Sequence, residues 1–385
     1  MAAVNLPRVI RVGGGALVEL PAALGQCGLS RPFVVSDGFL AGNGMLDRLM
    51  AVLGGAGMTA RAFTDTVPDP TVAVVEAALA ALREGDHDCV IGFGGGSPID
   101  TAKAVAALAI DPRPIPSMKA PAATDAPGLP IVAVPTTAGT GSEATRFTII
   151  TDEVSSEKML CAGLAFLPTI AILDYELTLA KPRRLTADTG IDSLTHAIEA
   201  YVSKRANPFS DAMALSAMRL IAPNIRRACD APDDHAAREA MMVGAHHAGL
   251  AFSNASVALV HGMSRPIGAF FHVPHGLSNA MLLPAVTAFS APSARIRYAA
   301  CARAMGVARE EEGDQSAVAR LLDELTALNA DLGVPTPAAY GIPQARYMEL
   351  IPIMAEQALA SGSPGNNPRA PDAAEIADLY RQVFV

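Results

Sequence analysis

The sequence predicts an α/β domain over residues 1–182 followed by an all-α domain over residues 183–385. A length of 385 residues suits two or three domains, at roughly 150 residues each. Short β-rich runs alternate with helical stretches as far as about residue 180, which is typical of a parallel α/β sheet. From about Leu185 onward β-branched runs disappear, and Ala, Leu, Met and His recur with helical periodicity.

The first domain is expected to contain buried strands separated by helices. β-Branched and apolar runs predict strands at Pro32–Ser36, Arg61–Phe63, Asp88–Phe93 and Pro130–Pro135. Helical periodicity predicts helices at Met45–Leu53 and Val72–Leu82.

In the second domain we expect helices in close succession. The boundary is placed near Leu179–Arg184, where Lys181 and Pro182 interrupt the pattern. The last helix has an Asp372 N-cap with Glu375 three residues later, as in a capping box. The predicted helices cover residues 187–204, 208–228, 235–250, 255–268, 276–290, 293–306, 314–331, 343–360 and 372–384.

Composition excludes several classes of protein. With 51% hydrophobic and 17% charged residues, the chain can bury a large core and is not disordered. Its net charge of −9, without a Lys/Arg cluster, argues against nucleic acid or an anionic membrane as partner. Five scattered cysteines without a CxxC pair predict reduced thiols rather than a disulfide framework. Because the N-terminus has no signal-peptide pattern and no apolar stretch suits a membrane span, we expect a cytoplasmic protein.

A glycine-rich loop, residues 94–100, follows a buried strand and opens a helix. Ser97 is the predicted N-cap, with Pro98 at the first helical position and Asp100 at the third, where it would support the helix start. Bare backbone N–H groups at Gly95 and Gly96, together with the helix dipole, favour a pyrophosphate. A capped strand-to-helix turn would explain the same residues.

Two further segments suit a nucleotide. The loop after the strand at Pro130–Pro135 contains Thr136, Thr137 and Thr140, hydroxyls that could face a polar ligand or simply solvent. Asp37 ends an earlier strand and could bond ribose hydroxyls, which would favour NAD over NADP. An ordinary Asp-Gly turn is the alternative for Asp37.

A carboxylate and three histidines suggest a metal site. Asp192 and His196 are four residues apart and share one helix face. His261 and His275 are 14 residues apart, and prolines between them require the chain to turn. This donor set suits Fe²⁺, with Zn²⁺ as the alternative, and leaves a coordination position for substrate oxygen. Each pair alone could be a surface hydrogen bond or a packed core histidine.

These motifs resemble the iron-dependent (group III) alcohol dehydrogenases, which share the dehydroquinate synthase and glycerol dehydrogenase fold. The resemblance covers about residues 9–385. It implies a Rossmann-like nucleotide-binding domain, a helical metal-binding domain and a homodimer or larger homo-oligomer. The matching segments are VVSDG, VPDPT, GFGGGSPIDTAKA, VPTTAGTGSEAT, TDEVSSEKM, TADTGIDSLTHAIEAYVS, FSNASVALVHGMSRPIGAFFHVPHG and NPR.

Carried over residue by residue, the resemblance assigns roles in a metal- and NAD-dependent oxidoreductase of small alcohols, aldehydes or ketones. It makes Lys158 a contact of the cofactor ribose, and Asp69 stands where the family usually has Asn. The implied metal ligands are Asp192, His196, His261 and His275; the implied cofactor residues are Asp37, Asp69, Gly95, Gly96, Ser97, Thr136, Thr137, Thr140 and Lys158.

One departure from the family pattern concerns catalysis. Arg265 stands where many members have a second His, four residues after His261. Because arginine does not lose its proton in this pH range, proton relay would need His272, a ribose hydroxyl or water. Arg265 could instead bind a carboxylated substrate, as in a maleylacetate reductase-like or hydroxy-acid enzyme, or pair with a nearby carboxylate or the cofactor phosphates. A lyase of the dehydroquinate synthase type and a non-catalytic metal-holding protein are further alternatives.

Overall fold

The computed structural model describes residues 3–155 and 157–385. It divides the chain into two compact units, here called the N-terminal unit (Asn5–Ala180) and the C-terminal unit (built on Lys181–Val385). The N-terminal unit contains a parallel sheet with helices, and the C-terminal unit is helical. The predicted fold class is therefore confirmed.

The main sheet of the N-terminal unit is parallel and has the strand order β1-β8-β5-β4-β2-β3 within the described residues. A separate antiparallel hairpin pairs β6 with β7. The strands are β1 (Val9–Val12), β2 (Pro32–Asp37), β3 (Arg61–Thr66), β4 (Cys89–Gly94), β5 (Ile131–Pro135), β6 (Phe147–Asp152), β7 (Glu157–Ala162) and β8 (Ile170–Leu173).

Helices cover both faces of this sheet. Strand β2 shows why: Val34 points into one buried cluster, while Phe33 and Val35 point into the other. Side chains alternate between the faces of a strand, so β2 can be apolar throughout only when both faces are covered. The helices of this unit are α1 (Leu20–Gln26), α2 (Gly38–Gly42), α3 (Met45–Gly55), α4 (Val72–Arg83) and α5 (Gly96–Ile110).

The C-terminal unit packs its helices around α6, most of whose residues are buried. Helices α7, α9 and α11 all contact α6. The helices are α6 (Arg183–Val202), α7 (Pro208–Ile221), α8 (Ile225–Asp230), α9 (His235–Ala255), α10 (Leu259–Phe271), α11 (His275–Ser290), α12 (Arg295–Ala304), α13 (Asp314–Asp331), α14 (Pro337–Tyr340), α15 (Gln344–Ala360) and α16 (Ala373–Val383).

Some predicted boundaries were wrong. The single helix expected at 208–228 is two helices, because Pro223 has no N–H to continue the first one. The helix expected to start at residue 255 starts at Leu259, since α9 runs on to Ala255 and stops where Ser256 takes a positive φ of 68°. Strands β1, β6, β7 and β8 were not predicted. No helix in the described ranges is long and apolar enough to cross a membrane.

Candidate metal and cofactor sites

Helix α6 provides two of the predicted metal ligands. Asp192 and His196 lie one turn apart, and both are buried. The ring of Phe252, from α9, stacks on His196 with a centroid separation of 4.1 Å. Because α6 is surrounded by other helices, Asp192 and His196 face the interior of the unit rather than solvent.

The other two ligands come from α10 and α11. His261 is the third residue of α10, and His275 is the first residue of α11. The start of α11 lies against α6: a Cβ on Gly276 would be 2.3 Å from the backbone oxygen of Asp188. Only glycine allows this approach, which places His275 beside Asp192.

The four predicted ligands form one cluster, in which their candidate donor atoms all lie within 4.8 Å of one another. The Asp192 Oδ1 atom is 3.5 Å from His261 Nε2, 3.8 Å from His275 Nε2 and 4.0 Å from His196 Nδ1. The side chain of His275 is 36% exposed, against 3–6% for the other three, so the cluster is reached from the His275 side. One carboxylate and three imidazoles fit a divalent transition-metal ion.

The electrostatics of the cluster also favour a cation. Burial by itself would raise the pKa of Asp192, but the charges of His196 and His275 and the hydrogen bond with His261 hold it well below its usual range. Burial would lower the pKa of His261, yet Glu199 and Asp192 raise it to about 9. The negative charge that stabilises a proton on His261 would equally stabilise a metal ion.

Glu199 is a functional candidate that sequence reasoning missed. Its Oε2 atom is 2.6 Å from His261 Nδ1, and its Oε1 atom accepts a 2.6 Å hydrogen bond from the Val260 N–H. A proton on Nδ1 leaves the Nε2 lone pair of neutral His261 facing Asp192. The available signal was its place on the polar stripe of α6, three residues after His196.

The two proposed catalytic residues lie outside the cluster. Arg265, one turn after His261 on α10, is half-buried, and its Nε atom is buried without a hydrogen-bond partner among the described residues. Burial lowers the pKa of Arg265, and the Glu199 carboxylate partly offsets that effect. His272 is exposed and ends α10 with a φ of 54°.

At the glycine-rich loop, α5 begins earlier than predicted. Its N-cap is Gly95, and Ser97 lies inside the first turn, so the predicted Ser97 N-cap was wrong. Asp100, expected to support the helix start, instead accepts hydrogen bonds from Ser142 Oγ at 2.9 Å and from the Ile149 N–H at 3.0 Å. Because Asp100 is engaged in these tertiary contacts, the backbone of Gly95 and Gly96 forms the start of α5 without a side-chain cap.

The loop that follows β5 and contains Thr136, Thr137 and Thr140 lies directly beside the glycine-rich loop. A Cβ on Gly95 would be 3.6 Å from the Thr137 side chain, and a Cβ on Gly96 would be 3.0 Å from Thr140 Cγ2. The hydroxyls of Thr136 and Thr137 are buried and have no hydrogen-bond partner in the described ranges. Buried polar groups are rarely left unsatisfied, so hydroxyls beside a glycine cradle fit a polar ligand such as a pyrophosphate.

Asp37 ends β2, which neighbours β4, the strand that precedes the glycine-rich loop. The chain leaves β2 toward β3 on one side and leaves β4 toward β5 on the other. Open α/β sheets bind ligands at such a switch point. The Asp37 Oδ1 atom accepts the Leu40 N–H at 2.9 Å and so caps α2, as the turn interpretation expects.

Asp69 and Lys158 form an ion pair with each other. The Lys158 Nζ atom is 2.9 Å from Asp69 Oδ1. Asp69 has a φ of 53°, a left-handed conformation that Asn and Asp adopt more readily than other non-glycine residues. This conformation explains how Asp can stand where the family pattern has Asn.

Comparisons with known proteins cover nearly the whole chain. A model described as iron-containing alcohol dehydrogenase matches residues 7–175, and one described as Fe-containing alcohol dehydrogenase family, C-terminal, matches residues 186–384. The sequence is 38% identical over 379 residues to the probable alcohol dehydrogenase EutG of Escherichia coli strain K12, covering 98% of this chain and 93% of that protein.

Solved structures show the same fold. A 1,3-propanediol oxidoreductase matches with a TM-score of 0.95 and 35% identity, over 100% of both chains. A sulfoacetaldehyde reductase from Bifidobacterium kashiwanohense, solved in complex with NAD⁺, matches with a TM-score of 0.89 and 27% identity, over 100% of this chain and 99% of that one.

Proposed function

We propose, since this chain belongs to the iron-containing alcohol dehydrogenase family, that it interconverts an alcohol with its aldehyde or ketone and uses NAD as hydride carrier. The observation that carries the proposal is the cluster of three histidines and one aspartate in the C-terminal unit. The candidate ligands are Asp192, His196, His261 and His275.

Each group of the cluster has a definable role toward a divalent cation, Fe²⁺ first and Zn²⁺ as the alternative. When bound, the cation supplies Lewis acidity that polarises the substrate oxygen. Asp192 contributes the negative charge, and Glu199 holds His261 with its Nε2 lone pair toward the cluster. Phe252 covers one face of His196 and excludes water from that side.

The N-terminal unit offers the groups expected of an NAD site. The N–H groups at the start of α5 suit the pyrophosphate, and Thr136, Thr137 and Thr140 supply hydroxyls beside it. Asp37 at the end of β2 is our candidate for the adenosine ribose. Ser97, Asp69 and Lys158 complete the proposed set, the last two as the ion pair described above.

His272 is our candidate for passing a proton to solvent. It is exposed and lies three residues before His275. Arg265 cannot take this role because a guanidinium keeps its proton throughout the working pH range.

The test is NAD⁺ reduction by metal-stripped protein reloaded with Fe²⁺ or Zn²⁺, using short neutral alcohols. We expect turnover to return with metal and to fall at least about 100-fold in Asp192→Ala, because a charged ligand is lost. Asp230→Ala, which changes an exposed aspartate of the same unit, is the matched control. Equal turnover by metal-free and reloaded protein would overturn the proposal.

A second candidate is the same reaction on a carbonyl substrate that carries a carboxylate or sulfonate. The observation that favours it is the buried Nε atom of Arg265, one turn from His261, which has no hydrogen-bond partner in the part of the chain that the structure describes. A guanidinium of this kind suits a planar anionic group. The sulfoacetaldehyde reductase named above shows that the fold also serves an anionic aldehyde.

A matched substrate pair separates the two candidates. Butanal and succinic semialdehyde have the same number of carbons, but only the second carries a carboxylate. If Arg265 binds the anion, kcat/KM should favour the semialdehyde by at least about tenfold, which corresponds to about 1.4 kcal/mol. Arg265→Met should remove this preference. Arg295→Met, at an exposed arginine on α12, is the control. Equal kcat/KM for the two aldehydes in the unmodified enzyme would rule out the anionic-substrate candidate and leave only the neutral-substrate function.

We further propose a cytoplasmic homodimer or larger homo-oligomer. Five free cysteines suit a reducing compartment. Strand β1 lies at an edge of the sheet, where a second chain can add to unpaired backbone groups. Sedimentation velocity at two protein concentrations tests the assembly, and a monomer at both would overturn it.

A further inference from the structure

Asn279, one turn after His275 on α11, contacts three of the four proposed metal ligands. Its Nδ2 atom is 2.7 Å from Asp192 Oδ1, 3.1 Å from His261 Nε2 and 3.3 Å from His275 Nε2. The side chain is fully buried. Its Oδ1 atom has no hydrogen-bond partner among the described residues.

The contacts of Nδ2 decide which way the amide points. The Asp192 carboxylate oxygen can only accept, so it requires a donor opposite it. The reverse orientation would place the amide oxygen 2.7 Å from the Asp192 oxygen, where two acceptors repel each other. Burying Oδ1 without a partner has a desolvation cost. The hydrogen bond from the NH₂ group to Asp192 offsets part of this cost.

The contacted oxygen is the one that faces the cluster. Asp192 Oδ1 is the atom that lies 3.5 Å from His261 Nε2 and 3.8 Å from His275 Nε2. A hydrogen bond to this oxygen restrains the carboxylate rotamer, so that the oxygen stays directed at the cluster. Carboxylate ligands are commonly oriented by such a partner.

From these contacts we infer that Asn279 is a positioning residue of the metal centre, acting through its Nδ2–H donor to Asp192. This inference rests on the proposed metal site. Asn279 holds the ligand oxygen in place before the cation arrives, so that less rearrangement accompanies binding. The side chain itself stays outside the ligand set.

Asn329 provides a matched control for the loss of a side-chain amide donor to α11. Its Nδ2 atom also donates a 2.7 Å hydrogen bond to α11, but to the backbone oxygen of Ala280. The two asparagines therefore differ in that Asn279 contacts the cluster and Asn329 contacts the backbone. Removing either donor disturbs α11, but only the loss of the Asn279 donor disturbs Asp192.

The experiment measures the dissociation constants of Zn²⁺ and Co²⁺ by chelator competition in Asn279→Leu, Asn279→Asp, Asn329→Leu and the unmodified protein. We expect both Asn279 variants to bind metal about 10–100-fold more weakly, the range found when a ligand's partner is removed. Asn279→Leu should be at the weaker end, because the negative charge introduced in Asn279→Asp attracts the cation and partly offsets the lost donor. Asn329→Leu should leave the constant within about threefold.

Two results would overturn the inference. If Asn279→Asp binds metal as tightly as the unmodified protein or more tightly, residue 279 is a ligand, and the absorption spectrum of the Co²⁺-loaded protein should then change in Asn279→Leu. If metal affinity is unchanged in both variants while the metal-free melting temperature falls, Asn279 is only a packing residue. Metal-dependent turnover of the unmodified enzyme would persist in either case, so the proposed function is tested separately.

Discussion

The two units bury charge in opposite ways. In the N-terminal unit, buried Lys103 on α5 is satisfied internally: its Nζ atom donates to the Thr145 and Phe147 carbonyls at 2.9 and 2.7 Å. In the C-terminal unit, the buried groups converge instead, so that Asp192 faces three imidazoles. Burial lowers the pKa of Lys103 to about 8 despite the attraction of Asp100 and Glu143, whereas the pKa of His261 is raised to about 9 because Glu199 and Asp192 outweigh burial.

The contrast separates two kinds of candidate site. The cofactor loops offer neutral donors, namely backbone N–H groups and hydroxyls, whose burial costs less than the burial of an ionised group. The metal centre needs ionisable groups whose burial is favourable only with a cation or a proton among them. Substitutions should therefore affect metal binding and cofactor binding independently.

The largest effect is expected from Gly276→Ala. The new Cβ would be 2.3 Å from the Asp188 backbone oxygen, so α11 must move away from α6 and take His275 with it. We expect metal affinity to fall by about 100-fold or more, the upper end for lost ligand support. Gly313→Ala is the control, because a Cβ there meets nothing within 4 Å. Unchanged affinity in Gly276→Ala would show that α11 can shift without cost to the cluster.

Glu199→Gln should have the next largest effect. The substitution removes the charge that stabilises His261 while keeping the size of the side chain. We expect metal affinity and kcat/KM to fall about 10–100-fold, with little change in the KM for NAD. Glu324→Gln, which affects a partly buried ion pair with Arg226, serves as the control. A rise in the NAD KM equal to the loss of metal affinity would break the separation of the two sites.

Gly96→Ala tests the same separation from the N-terminal unit. The added Cβ would be 3.0 Å from Thr140 Cγ2 and would narrow the proposed pyrophosphate cradle. We expect the KM for NAD to rise about tenfold, which corresponds to about 1.4 kcal/mol, while metal affinity stays the same. In Gly25→Ala, where a Cβ on α1 meets nothing within 4 Å, neither constant should change. An unchanged NAD KM in Gly96→Ala would place the cofactor elsewhere.

The smallest effect concerns pH. The pKa of His261 is raised from 6.5 to about 9, so its contribution to the stability of metal-free protein is complete below about pH 6.5 and is lost as pH rises toward 9. We expect the metal-free melting temperature to fall over this range, by about 2–4 °C for each kcal/mol of stability that is lost. The metal-loaded protein and metal-free His261→Asn should lack this fall. The same fall in His261→Asn would assign it to another group.

Much of the fold and of the candidate sites could be predicted from local patterns. Periodicity and turn residues predicted the α/β and all-α halves, and the strands β2 and β4 beside the switch point. The metal-ligand candidates were predicted as residue types at familiar spacings, and the structure gathers all four. The N-cap of α5 was predicted incorrectly because Asp100 makes tertiary hydrogen bonds that no local rule includes.

The sequence by itself therefore determined the succession of an α/β unit and a helical unit, and the chemistry available at the ends of the elements that it predicted, since helix periods and glycine loops depend on neighbouring residues. Only the tertiary structure decided which groups meet. Glu199 and Val260, or Asn279 and Asp192, are separated by 61 and 87 residues, and they touch because α6, α10 and α11 pack together. Orientation of a ligand depends on such distant contacts, which packing of the whole unit creates and local sequence does not encode.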